Sequence, residues 1–108
     1  MKQELKLIAV DLDGTLCYIP EGEEYLGISK YIHCKPITEN IKLVNKLYDS
    51  GHEIFIYTAR GMATFNSDVT KVYANLYEQT LNQLKDWGVK HSRLVMGKQS
   101  FDYLLDDK

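Results

Sequence analysis

Four short apolar runs ending in polar residues, with helical patterns between the first three, constrain this chain more than any other feature of it. Leu5–Val10 is apolar apart from Lys6 and runs into Asp11, Asp13 and Gly14, which reads as a buried strand ending at the first acid. Glu53–Thr58 (Glu-Ile-Phe-Ile-Tyr-Thr) is rich in β-branched and aromatic residues and reads the same way. Arg93–Met96 and Asp102–Leu105 are shorter strand candidates, followed by Lys98 and by Asp106 and Asp107.

Thr38–Ser50 carries Ile41, Val44, Leu47 and Tyr48 on one stripe, with Thr38 placed as N-cap and Gly51 just past the end. Asp68–Trp87 carries Val69, Val72, Tyr73, Leu76, Leu84 and Trp87, with Asn66, Ser67 or Asp68 as caps and Gly88 as the stop. Strands alternating with helices predict an α/β fold, a three-layer Rossmann-like parallel sheet with helices on both faces. Ligands bind at the carboxyl ends of the strands in such sheets, so the polar residues that end each run should converge on one rim. Residues 16–35 fit neither period. They hold Pro20, Gly22, Gly27, Tyr18, Tyr25 and Tyr31, and read as a flap of turns and short hairpin strands over that rim.

At 108 residues the chain is one domain, 1–108, and its 44% hydrophobic content suffices for a packed core. No apolar run reaches the ~18 residues a membrane span needs, and Met1–Lys6 has no signal-peptide pattern, so a cytoplasmic protein with no membrane partner is expected. A net charge of −2 argues against a nucleic-acid partner. Cys17 and Cys34 have neither metal-ligand spacing nor disulfide-scaffold density and read as reduced thiols. His33, His52 and His91 show no ligand spacing and read as surface residues.

Asp11 and Asp13 stand two residues apart beyond a strand, where like charges need compensation. Magnesium supplies it with oxygen ligands, keeping waters beside one or two carboxylates and a substrate phosphate. Asp106 and Asp107 offer further carboxylates, Lys98 a point charge for a phosphoryl oxygen or for Asp11, and Thr58 a hydroxyl donor. Gly14 permits a tight turn that presents backbone N–H groups to an anion. Arg60, two residues past Thr58, is equally suited to binding a substrate anion or pairing with a carboxylate.

In this order the residues resemble the haloacid dehalogenase (HAD) superfamily of phosphohydrolases. Asp11-Leu-Asp-Gly-Thr15 matches the first motif, Thr58 the second, Lys98 the third and Asp106-Asp107 the fourth. The resemblance implies that Asp11 attacks phosphorus and forms an aspartyl-phosphate, and that Asp13 protonates the leaving oxygen and then activates water. It implies Mg²⁺ on the Asp11 carboxylate, the Asp13 carbonyl and Asp106, with Asp107 on a metal-bound water or Lys98. It also implies phosphoryl contacts from Thr58, Lys98 and the Leu12 amide. Ile56–Met62, Gly97-Lys98 and Asp102–Lys108 look similar to small capless phosphatases of capsule or surface-polysaccharide biosynthesis, which implies a sugar phosphate or polysaccharide precursor as substrate. Members of the superfamily usually carry a further helix and often a fifth strand beyond the fourth motif. Without a substantial cap domain, a homo-oligomer is expected, its neighbouring subunit screening the site.

Two other readings use the same residues. A nucleic-acid-end or nucleotide phosphatase would use the open site, although no basic track is evident. A receiver-like phospho-accepting signalling domain uses an acidic pair, an acceptor Asp, Thr and Lys. There the acidic pair follows the first strand, whereas here it comes last.

Overall fold

The computed structural model describes residues 4–107. Three parallel strands form the main sheet: β1 (Leu7–Val10), β4 (Glu53–Thr58) and β5 (Arg93–Met96), in the order β1-β4-β5. Val10 lies opposite Ile56, and Thr58 opposite Met96. This register puts the residues that follow the strands, Asp11, Ala59 and Gly97, on one rim. An α/β arrangement with a parallel sheet is therefore present as expected.

α1 (Thr38–Asp49) packs against β4, and α2 (Val69–Asp86) against β5. α1 buries Ile41 and Val44, while α2 buries Val72, Leu76, Thr80 and Leu84, a stripe at i, i+4 spacing. Asp68 caps α2 by accepting a hydrogen bond from the Lys71 N–H. Thr38 does not cap α1. Ile37 occupies that position in extended conformation and its N–H donates to the Leu16 carbonyl, tying the helix start to the loop after β1. The buried apolar side chains form one cluster, including Leu12, Leu16, Cys17, Ile54, Ile56, Val72, Leu84 and Met96.

Residues 16–35 form a two-stranded antiparallel ribbon, β2 (Cys17–Tyr18) with β3 (Lys35–Pro36), separated by a 3₁₀ segment at Glu24–His33. That segment bends at Gly27, whose φ of 64° and ψ of −139° are outside helical space. Tyr31 is buried on the core side, whereas Tyr25 stands in solvent.

Two strand expectations need correction. β1 starts at Leu7 and, among the described residues, is an edge strand; Leu7 is exposed and only Val10 is fully sequestered. Asp102–Leu105 forms no strand. Phe101, Tyr103, Leu104 and Leu105 are all exposed, and a strand needs both a pairing edge and a surface to bury one face against. No helix is long and apolar enough to cross a membrane among the described residues.

Candidate active site

The loop after β1 is wound around one carbonyl. The Leu12 oxygen accepts from the N–H groups of Thr15, Leu16 and Cys17 at 3.1, 2.8 and 3.3 Å, and Gly14 N–H donates to the Cys17 carbonyl at 2.7 Å. The turn holds Gly14 at φ 89°, a left-handed conformation that side chains resist. Leu12 is buried beneath the loop, and Asp11 and Asp13 on either side of it reach the same cavity.

That cavity encloses about 340 Å³ and is lined by Asp11, Asp13, Thr58, Arg60 and Lys98, with Tyr31 from the flap. Two grooves elsewhere are larger, but neither gathers acids, a lysine and a hydroxyl from separate strand ends. Five of the sequence-predicted site residues are thus brought together from the three strand ends. Asp106 and Asp107 are not: both are exposed in the segment after β5 and neither lines the cavity. The expected metal set of Asp11, Asp13, Asp106 and Asp107 is therefore not assembled in this conformation, because the strand that would carry the last two is not formed.

Asp11 is the more open of the two acids, with its side chain 44% exposed. One of its oxygens accepts from the Leu12 N–H at 2.9 Å, and the other lies 3.6 Å from Lys98 Nζ. The Leu12 amide expected to face a phosphoryl oxygen thus holds Asp11 itself. Lys98 is positioned by its own N–H, which donates to the Thr58 carbonyl at 3.1 Å. The Thr58 hydroxyl oxygen accepts from the Arg60 N–H at 3.1 Å, which leaves its hydrogen available to an acceptor in the cavity.

Asp13 belongs to a different environment. Arg60 is almost wholly buried, 1% exposed, and forks onto Asp13: Nε lies 2.9 and 3.2 Å from the two carboxylate oxygens, and a terminal nitrogen is 3.1 Å from Oδ1. The other terminal nitrogen donates to Gln83 at 2.7 Å and Thr80 at 3.3 Å, and the guanidinium carbon lies 4.8 Å from the Tyr31 ring centre. Burial pulls the guanidinium toward neutrality, but the hydrogen bonds and charge of Asp13 outweigh it and set the Arg60 pKa above the ordinary arginine value. Of the two readings of Arg60, carboxylate pairing is the one realised.

Gln83 and Thr80 carried no expectation from the sequence, and Tyr31 was expected only as part of the flap over the rim. Thr80 did leave a trace: it is a polar residue in register with an otherwise apolar stripe. Gln83 also donates to the Tyr31 carbonyl at 2.6 Å, and the Tyr31 hydroxyl accepts from Gly61 N–H at 3.1 Å, so flap, α2 and the β4 rim share one network. Gly61 has no room for a side chain. Its φ is 77°, and a Cβ would lie 2.5 Å from Leu76 Cδ1. Gly61→Ala is expected to destabilise the fold by about 1–3 kcal/mol, read as a lower urea midpoint at unchanged slope; an unchanged midpoint would show that the rim is not packed this way.

Cys17 and Cys34 also adjoin Asp13. Their sulfurs lie 3.4 and 3.7 Å from Asp13 Oδ1, and a guanidinium nitrogen is 3.6 Å from Cys17 Sγ. The hydrogen bond shared with Cys34, then burial, then the Asp13 charge push the Cys17 thiol up, and the same shared bond lowers Cys34.

No protein-family model matches the chain, and no curated protein does. A solved structure does: the crystal structure of an MCSG target from Vibrio cholerae is similar over 96% of this chain and 80% of that one, with a TM-score of 0.77 and 26% identity. The likeness supports the Rossmann-like α/β arrangement.

Proposed function

We propose that this chain is a HAD-type phosphomonoester hydrolase that uses Mg²⁺ and an aspartyl-phosphate formed on Asp11. The observation that carries this reading is the contrast between the two acids. Asp11 is open to the cavity with one lysine beside it, whereas Asp13 is clamped by a buried arginine. A nucleophile needs access to phosphorus and a neighbour that orients it; an acid/base group needs a fixed position beside it.

Asp11 would attack phosphorus while Lys98 and the Thr58 hydroxyl hold the equatorial oxygens. Arg60 keeps Asp13 at the cavity wall with both oxygens engaged, so one guanidinium bond opens, Asp13 takes up a proton from solvent, and that proton passes to the leaving oxygen as its bond to phosphorus breaks. Asp13 then takes the proton of the incoming water. Hard oxygen donors on the cavity wall, chiefly the Asp11 carboxylate and in this reading the Asp13 carbonyl, suit Mg²⁺. When bound, it supplies charge neutralisation between carboxylate and phosphate. Asp106 and Asp107 would join only if the chain after β5 folds against the rim.

The open cavity, with no substantial cap among the described residues, favours a small substrate screened by a second copy of the chain. A sugar phosphate or polysaccharide precursor is the substrate class that the motif resemblance supports. With p-nitrophenyl phosphate as probe, Mg²⁺ should support steady phosphate release, EDTA should abolish it, and added Mg²⁺ should restore it. Slow turnover of acetyl phosphate with a long-lived phosphoprotein, and no ester hydrolysis, would overturn the reading in favour of a receiver-like domain.

A further inference from the structure

We infer that Cys17, Cys34 and Asp13 form a binding site for a thiophilic divalent cation such as Zn²⁺, distinct from any Mg²⁺ site at Asp11. One ligand atom from each residue lies within 4.8 Å of the other two. The sulfur–oxygen separations, 3.4 and 3.7 Å, are the informative quantity. With Zn–S of about 2.3 Å and Zn–O of about 2.1 Å, tetrahedral angles put sulfur and oxygen about 3.6 Å apart and two sulfurs about 3.8 Å apart. The two sulfur–oxygen separations therefore match edges of a coordination tetrahedron, and the two sulfurs lie within 4.8 Å of each other. Of the three, Asp13 alone lines the cavity, and the Arg60 terminal nitrogen, 3.1 Å from Asp13 Oδ1 and 3.6 Å from Cys17 Sγ, must shift for a water to complete the shell.

The scaffold holds this geometry firmly. Cys17 is in β2, paired with Pro36, and Cys34 immediately precedes β3 at the end of the 3₁₀ segment. In the protonated state the thiols also reach the Leu12 and Lys30 carbonyls, contacts given up when a metal replaces the protons. The loaded site would be neutral. Two thiolates and the Asp13 carboxylate give three negative charges, the buried Arg60 cancels one, and M²⁺ neutralises the rest. On binding, both thiols release their protons to solvent and their S–H hydrogen bonds are replaced by metal–sulfur bonds. Asp13 Oδ1 exchanges a guanidinium contact for the metal while Oδ2 keeps its bond from Arg60 Nε. Two sulfurs select against Mg²⁺, which prefers oxygen. One consequence rests on the phosphatase reading: a cation on Asp13 Oδ1 would compete with the acid/base role and inhibit turnover.

The site itself is tested without substrate. Co²⁺ added to the reduced full chain should give one equivalent of binding with a near-ultraviolet thiolate charge-transfer band. Zn²⁺ should bleach that band stoichiometrically, and a large excess of Mg²⁺ should leave it unchanged. Cys34→Ser should weaken Zn²⁺ binding by at least the 10- to 100-fold typical of losing an outer-shell partner, whereas Asp11→Asn should keep the band. Stoichiometric Co²⁺ binding to the wild-type chain with no thiolate band, or no binding at all, would overturn the site even if Cys34→Ser failed to fold. Phosphatase activity with no cation bound at the thiols would refute this site and leave the proposed function standing. A thiolate site on a chain without phosphatase activity would do the reverse.

Discussion

Asp11→Asn is expected to lower Mg²⁺-dependent hydrolysis of p-nitrophenyl phosphate by on the order of 10⁴-fold or more, while the thermal midpoint stays close to that of the parent. The change keeps the shape of the side chain and removes its charge. Asp11 is half open to solvent and meets Lys98 at 3.6 Å, long for an ion pair, so little stability depends on it. Its one short contact, from the Leu12 N–H, can be accepted equally by an amide oxygen. Activity and fold should therefore separate cleanly at this position. Steady-state rates alongside a melting curve check it, and turnover within a few fold of the parent would remove Asp11 from the chemistry.

Asp13→Asn should behave differently, with the second large effect falling on stability as well as rate. The substitution leaves the Arg60 guanidinium buried with no countercharge, and breaking a buried pair from one side costs about 3–5 kcal/mol. For a domain of this size that lowers the thermal midpoint by more than about 10 °C. Arg60→Lys should be nearly as damaging, because an ammonium cannot fork onto two carboxylate oxygens while also reaching Gln83. Replacing both charges, Asp13→Leu with Arg60→Met, should recover much of the loss, which a simple packing defect would not do. Inactivity of Asp13→Asn alone is thus weak evidence for acid/base catalysis. The stability series has to accompany it, and an Asp13→Asn chain as stable as the parent would contradict the ion-pair description.

Much of this was legible in the sequence for a local reason. The Glu53–Thr58 and Arg93–Met96 strands match as read, and the first strand keeps its Val10 end; α2 starts after its Asp68 cap and stops before Gly88. These features depend on periodicity and capping within a few residues. The convergence of Asp11, Thr58, Arg60 and Lys98 followed from parallel topology, since every strand in such a sheet delivers its end to the same rim.

What was not legible depends on pairs distant in sequence. Asp13 and Arg60 are 47 positions apart, and Cys17 and Cys34 come together only because β2 pairs with β3 around the intervening turn. Spacing rules for metal ligands look for short intervals and pass over such a pair. The strand expected at Asp102–Leu105 had the right composition, but composition alone does not bring a segment onto an edge of the sheet. Asp106 and Asp107 stay away from the cavity for the same reason.

The most direct measurement on Asp11 is identification of the phosphorylated residue. The protein is mixed with Mg²⁺ and acetyl phosphate, quenched in acid during turnover, reduced with borohydride and mapped by mass spectrometry. Reduction of an aspartyl-phosphate leaves homoserine, and the expected result is homoserine at position 11 and nowhere else, absent when EDTA is present. Continued turnover with an unmodified peptide at position 11, or with the label at position 13 instead, would contradict Asp11 as the nucleophile.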